Sequence, residues 1–505
     1  EISECLVGSE MCIRDRGSAI IGLFFQNCSG AVHRNKTAFF KRCVMRSGIR
    51  SYEMDMCSGS ILKKMLLFAM PLMLSSILQL LFNAADIIVV GKFAGDNSLA
   101  AVGSNTALIN LLTNLFIGLS IGANVTAARF YGAKAQKDLT ETVHTAMLLS
   151  MVSGVLLTIV GVIDAKQMLI WMQTPKEVLP LAAVYLRIYF LGMTSTMVYN
   201  FGSALLRAVG DTKRPLYFLF CAGIINIVLN LIFVILFRMD VMGVAIATAI
   251  SETVSALLVL RCLVREKGGV HLELRQLRIH GSKMRQILQI GLPAGFQGIV
   301  FAISNVVIQS SVNLFGNVVV AGNSAAANIE GFVYMAMNAF YQTTLSFTSQ
   351  NYGAGQQKRI NRILITGQLC VITVGVVLGN AAVLLGEPLL HIYSDSPAVI
   401  AAGLVRLRYI SRVYALCGIM DVMVGSLRGL GYSVMPMIVS IVGVCGLRLV
   451  WLATVFQIPR FHRIETVYLS YAVTWCLTIA VYLVAYLWIR RPSRVATLHQ
   501  SAESP

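Results

Sequence analysis

RFYGAKAQKDL (residues 129–139) returns 221 positions later as QNYGAGQQKRI (residues 350–360). SALLRAVGDTKRP (203–215) returns at the same offset as VGSLRGLGYSVMP (424–436). The alignment pairs Tyr131 with Tyr352, Arg207 with Arg428, Gly210 with Gly431 and Pro215 with Pro436; Pro71 and Pro293 lie 222 apart. An offset held across separate segments marks an internal duplication, so the chain is two copies of one unit.

The composition says where that unit lives. The 505 residues are 56% hydrophobic and only 13% charged, whereas a soluble chain carries roughly 25% charged residues. Apolar runs able to cross a ~30 Å hydrocarbon layer fall at about 64–91, 98–124, 141–164, 179–203, 215–237 and 241–264. Six more fall at about 286–313, 323–349, 362–386, 401–424, 434–457 and 466–489. Six spans is an even number, so both halves enter the membrane in the same orientation, as parallel repeats about an axis along the membrane normal with a site at their interface. The expected fold is an all-α polytopic membrane protein with twelve transmembrane helices in two six-helix lobes. Residues 54–265 form the first lobe, 266–285 an inter-lobe loop, 286–490 the second lobe and 491–505 a tail. The first 53 residues, beginning EISECLVGSEMCIRDRG, have no helical or strand period and read as a non-native or disordered leader.

Charge sets the orientation. Loops after even-numbered spans hold seventeen Lys and Arg, seven of them between Arg261 and Arg285, against six on the other side. The positive side is cytoplasmic, so both termini are expected there, in a multi-pass protein of the inner (plasma) membrane. Topology thus accounts for the net charge of +18 without nucleic acid. The 11 cysteines form no CxxC pair, and there is no GxxxxGK[ST] phosphate loop, so neither a cofactor nor ATP is expected. The seven histidines are dispersed, which argues against an enzyme.

Polar residues inside spans mark function, because a carboxylate at mid-membrane costs roughly 2.5–3.5 kcal/mol. In LLFNAADIIVVG (80–91), Asp86 completes a stripe with Gln79 and Asn83 at i, i+4, i+7; 22 residues (~33 Å of helix) beyond Lys64, it reads equally as an aspartate at the outer interface. Asn226 and Asn230 are i, i+4 on the fifth span, and Thr248 and Glu252 are i, i+4 on the sixth. Oxygen-bearing side chains converging from three helices suit a hard cation or a proton. Glu252 and Glu330 are further proton-relay candidates, whereas Asp421 reads as structural. The repeat places Val307 or Ile308 opposite Asp86, which predicts an ion site in the first lobe only. Tyr334, Asn338, Tyr341 and Gln342 share a face of the eighth span; with Gln79 and Gln297 they suit a cavity that receives a flat amphiphilic cation. The arginines read as concentrated in loops.

MDMCSGSILKKMLLFAMPLMLSSILQLLFNAADIIVVGKFAGD, AARFYGA, LLRAVGDTKRP, NIVLN, GLPAGFQ, SFTSQNYGAG and LRGLGYSVMPMI, in that order, resemble the multidrug and toxic compound extrusion (MATE) family, in its Firmicutes-like bacterial branch. The resemblance covers residue 54 to about 490. It implies two six-helix lobes, a central cavity and export of organic cations driven by inward flow of Na+ or H+. It further implies that Asp86 matches the family's functional first-helix aspartate. Asn226 and Asn230 match its fifth-helix pair, where the second member is often aspartate, and Thr248 matches its sixth-helix threonine. The seventh-helix acid of some branches has no counterpart in GIVFAISN. A secondary antiporter, acting as a monomer on small cationic or amphiphilic substrates, is the expected function. A flippase for a lipid-linked saccharide or cell-wall precursor is the alternative; it would call for a more cationic cavity.

Overall fold

Inside hydrocarbon every backbone N–H and C=O must be satisfied within its own segment, which leaves helices as the available form for chains of this pattern. A computed structural model describes residues 52–94, 96–266 and 268–490. The leader up to residue 51 and the tail 491–505 lie outside the described residues. The first half comprises α1 (Ile61–Phe93), α2 (Asp96–Gly132), α3 (Gln136–Trp171), α4 (Leu179–Leu191), α5 (Met193–Ala208), α6 (Lys213–Leu231) and α7 (Asp240–Arg265). The second half comprises α8 (Gly281–Asn313), α9 (Asn317–Gly353), α10 (Gln357–Leu384), the short α11 (Gly386–His391), α12 (Pro397–Ile410), α13 (Ala415–Gly429), α14 (Val434–Ser440), α15 (Leu447–Ala453) and α16 (Ile464–Ile489).

The duplication persists in the irregularities. The fourth span of each half is a bent pair, α4 with α5 at 46° and α12 with α13 at 45°. The fifth span of each half contains a π-helical turn, Ile232–Leu236 after α6 and Ile441–Gly446 between α14 and α15. Among the described residues, nine helices are long and apolar enough to cross a membrane, and counting each bent pair as one span raises the number to eleven. The twelfth span is α9. Its 37 residues carry a buried polar run, Thr343, Thr344, Ser346, Thr348, Ser349, Gln350 and Asn351, and it packs on α1 and α2 of the opposite lobe. A helix surrounded by protein has no need of a lipid-compatible surface.

The lobes join on the side bearing the basic loops. Helix α2 lies so close to α8 that a Cβ at Gly118 would stand 2.3 Å from the Gly295 amide nitrogen, and one at Gly122 would stand 2.2 Å from the Ile287 carbonyl. Nearer the basic loops, α2 crosses α9 on the pseudo-twofold axis. A Cβ at Gly132 would meet Gln350 O at 2.0 Å, and one at the equivalent Gly353 would meet Arg129 O at 2.0 Å. Further along the same crossing Ser346 Oγ donates to Asn124 Oδ1 at 3.1 Å. At the far end the apolar clusters belong to single lobes: Val89, Val90, Ala101 and Val102 in the first, Ile308, Val312, Phe456 and Val467 in the second. The lobes are therefore closed toward the basic face.

Candidate functional site

Three helices of the first lobe bring four of the five expected ion-site residues together. Asn230 Nδ2, on α6, donates to Asp86 Oδ1 on α1 at 2.5 Å and lies 3.2 Å from Asn226 Oδ1. Asn226 Nδ2 donates to Thr248 Oγ1 on α7 at 3.3 Å, and Thr248 donates to Val244 O at 3.0 Å. Thr248 also stands within hydrogen-bonding reach of Asp86. The fifth residue, Asn83, is exposed on α1, as is Gln79, and among the described residues neither hydrogen-bonds to this chain of groups. Asn230 is wholly buried, and its Oδ1 has no donor among the described residues. An uncharged oxygen of this kind beside a carboxylate has the donor chemistry that could hold a small hard cation.

Two residues missed in the sequence border this site. Tyr185 and Tyr189 on α4 stack with ring centroids 6.1 Å apart. Both lie close enough to feel the charge of Asp86, and Tyr189 also that of Glu252. Their i, i+4 spacing in an apolar span was the available signal. Glu252 itself is half-buried one turn from Thr248, and among the described residues no hydrogen bond reaches its carboxylate.

The second lobe departs from expectation in two ways. First, Glu330 is not an unattached relay acid. Arg406 donates to its Oε2 through Nη2 at 2.7 Å and Nε at 3.2 Å, and Arg406 Nη1 donates to Asn323 Oδ1 at 2.6 Å. This is a buried ion pair. Second, two arginines lie buried inside the lobe, although most are concentrated in loops. Arg428 closes α13 with 4% of its surface exposed; Nη1 donates to Tyr341 OH at 2.8 Å and Nη2 to Gln297 Oε1 at 2.9 Å. Arg448 is buried with its guanidinium 3.8 Å over the Tyr471 ring. Asp421, which the sequence reads as structural, is a further acid of this lobe. Asp421 is half-buried on α13, with Tyr334, Cys417 and Arg428 within range of its charge and its Oδ2 without a donor among the described residues. Asp421 is not the repeat equivalent of Asp86, whose counterparts are Val307 and Ile308.

Of the residues expected to line a substrate cavity, Gln297 and Tyr341 meet at Arg428. Asn338 Oδ1 accepts from Gln342 Nε2 at 3.0 Å, one turn from Tyr334. Gln79 stands apart, on α1. The arrangement is a helical membrane protein with two facing lobes, carboxylates without an ion-pair partner in both and a buried guanidinium in the second, the plan of a transporter.

Comparison with known proteins gives the family. The MatE sequence profile matches residues 71–232 and 293–454, two copies displaced by the same 222 residues as Pro71 and Pro293. The chain belongs to the MatE (multidrug and toxic compound extrusion) family of transporters. It is 28% identical over 394 residues to the probable multidrug resistance protein YpnP of Bacillus subtilis, covering 78% of this chain and 88% of YpnP. It is 24% identical over 352 residues to the FAD transporter of Shewanella oneidensis, covering 68% of this chain and 76% of that one. An outward-facing conformation of a multidrug resistance MATE family transporter superposes with a TM-score of 0.81 at 22% identity, covering 88% of this chain and 98% of that one.

Proposed function

We propose that this chain is a secondary antiporter that exports organic cations or amphiphilic drugs as a monomer, in exchange for Na+ or H+ accepted at Asp86. The observation that carries the reading is the Asp86–Asn230–Asn226–Thr248 chain, with the buried, undonated Asn230 Oδ1 beside the carboxylate. Asp86 has no basic partner within ion-pair distance among the described residues, so a bound ion is its natural countercharge. Neutralisation of the carboxylate by that ion lowers its desolvation cost, which couples occupancy to the state of the lobes. Relatives named as multidrug resistance proteins support the substrate class. The basic face is the cytoplasmic one, so lobes closed there open outward. The test is transport in proteoliposomes with Na+ and pH gradients imposed separately; a coupled antiporter responds to at least one of them.

A second reading rests on Arg428. A buried guanidinium bound only to neutral oxygens suits an anionic substrate group, as a lipid-linked headgroup or another phosphate-bearing molecule would present. Similarity to an FAD transporter points the same way. Competition of cationic and anionic solutes for transport separates the two readings.

A further inference from the structure

Residues 53–59 precede α1 and so belong by sequence to the first repeat, yet their partners lie in both lobes. On the first-lobe side, Met54 N donates to Val209 O at 3.0 Å and Tyr131 OH donates to Glu53 Oε2 at 3.0 Å. Two residues later the chain has changed lobes. Met56 N donates to Gln350 Oε1 at 3.2 Å, and Met56 O accepts from Asn351 Nδ2 at 3.1 Å and Arg359 Nε at 3.3 Å. Arg359 Nη2 donates to Ser58 O and Gly59 O at 2.9 and 3.0 Å. Met56 is fully buried with Phe68, Phe347 and Ile363. Gln350, which receives the strap, also donates to Ala208 O of the opposite lobe at 2.7 Å.

The duplication supplies a second, independent observation. The segment before α8 crosses in the other direction: Glu273 N donates to His144 Nε2 and His280 N to Thr145 Oγ1, both on α3. Lys283, at the start of α8, pairs with Asp138 on α3. Asp138 is the repeat equivalent of Arg359, 221 positions earlier. Each lobe is thus strapped by the segment that leads into the other lobe's first helix.

From this geometry we infer that residues 53–59 are a latch, which holds the lobes shut on the basic face and must release before the cavity opens to that side. The inference rests on the antiporter reading, in which the lobes alternate. Asp55 stiffens the latch by accepting from Cys57 N at 2.8 Å and from Ser58 Oγ. A cavity of about 780 Å3, lined by Asp55, Cys57, Tyr131, Lys134, Gly353 and Gln356 among others, reaches behind the strap, so its polar groups have access to water on release.

Double electron–electron resonance on the purified full chain tests the latch. Nitroxides are placed at Lys137 and Lys358, equivalent exposed positions on α3 and α10, through a genetically encoded amino acid that leaves the native cysteines in place. The wild type is expected to be dominated by a short distance. Arg359→Gln removes three charge-assisted bonds to the strap, and its long-distance population is expected to rise about tenfold. Tyr131→Phe, on the first-lobe side, should move the population in the same direction by less. Gly132→Ala, whose Cβ cannot fit the crossing, serves as the opened reference. If Gly132→Ala widens the distribution while Arg359→Gln and Tyr131→Phe leave it unchanged, the latch is overturned and alternation stands. If no variant widens it under any ion gradient or substrate, latch and alternation fall together.

Discussion

Replacement of Asp86 by Asn isolates the coupling charge from the fold. The substituted amide keeps an oxygen for Asn230 Nδ2 to donate to, in the place of Oδ1. What is lost is the charge assistance of that bond, the difference between about 1.5–3 and about 0.5–1.5 kcal/mol, and relief of desolvation offsets it. Stability is therefore expected to change by about 1 kcal/mol or less. The effect on transport is of another order. One ion moving through the full membrane potential contributes ~2.3 kcal/mol per 100 mV, which sustains roughly a fortyfold substrate gradient on exchange for a neutral substrate. Without a titratable or ion-binding carboxylate that gradient falls toward unity, while substrate binding persists. Proteoliposomes loaded with a fluorescent amphiphile and energised in turn by Na+ and pH gradients measure the first quantity; quenching on substrate titration in detergent measures the second. Normal pumping by Asp86→Asn under both gradients would refute the assignment and shift the role to Glu252 or Asp421.

Further tests address the packing, the second lobe and the topology. Glu330→Gln leaves the buried Arg406 without its carboxylate and should cost about 3–5 kcal/mol, read as a large drop in thermal midpoint that the Glu330→Gln/Arg406→Gln double variant partly restores. Gly118→Ala forces a methyl group against the α8 backbone and should destabilise by about 1–3 kcal/mol or more, with unchanged stability showing that the lobes are not so closely apposed. A cysteine placed in the 266–285 loop should be labelled from the cytoplasm only; labelling from outside in intact cells would reverse the topology. Burial works to raise the Asp55 carboxyl, but hydrogen bonds from Ser58 and Cys57 N and the charges of Lys64 and Arg359 outweigh it and hold the group below its ordinary 3.8. A carboxyl held low contributes stability that is complete above its ordinary value and lost as pH falls through the lowered one. The turn it closes should therefore be constant from pH 5 to 8, and exchange of the Cys57 amide with deuterium, corrected for intrinsic rates, should show unchanged protection across that window.

How much was legible from the chain alone follows the range of the forces involved. Twelve apolar spans, their division into two parallel sets and the candidate role of Asp86 all depend on local hydropathy and on a repeat that survives as identical letters at a constant offset. These properties are written along the chain. Even α9, whose buried polar run keeps it below the hydropathy of the other spans, was read at 323–349 from its apolar stretches. What lay beyond reach was decided by contacts between residues far apart in sequence. Arg428 sits at the end of a span beside a basic loop, and nothing local says that its guanidinium turns inward to Tyr341 and Gln297 instead of outward to water. Glu330 looked like a free acid because Arg406, 76 positions away, neutralises it only once α9 and α12 are side by side. Asn83 shares the stripe of Asp86 by helical periodicity, but α6 approaches only one edge of that stripe, so Asn230 reaches the carboxylate and Asn83 is left exposed. Gly132 and Gly353 stand in the repeated YGA motif, where nothing local marks a close approach. Only the crossing of α2 and α9 shows that a single methyl group at either position would collide with the opposite backbone. Hydropathy and duplication are sums over neighbours in the chain, whereas which charges are paired and which glycines bear the closure depends on distances that exist only when the lobes have come together.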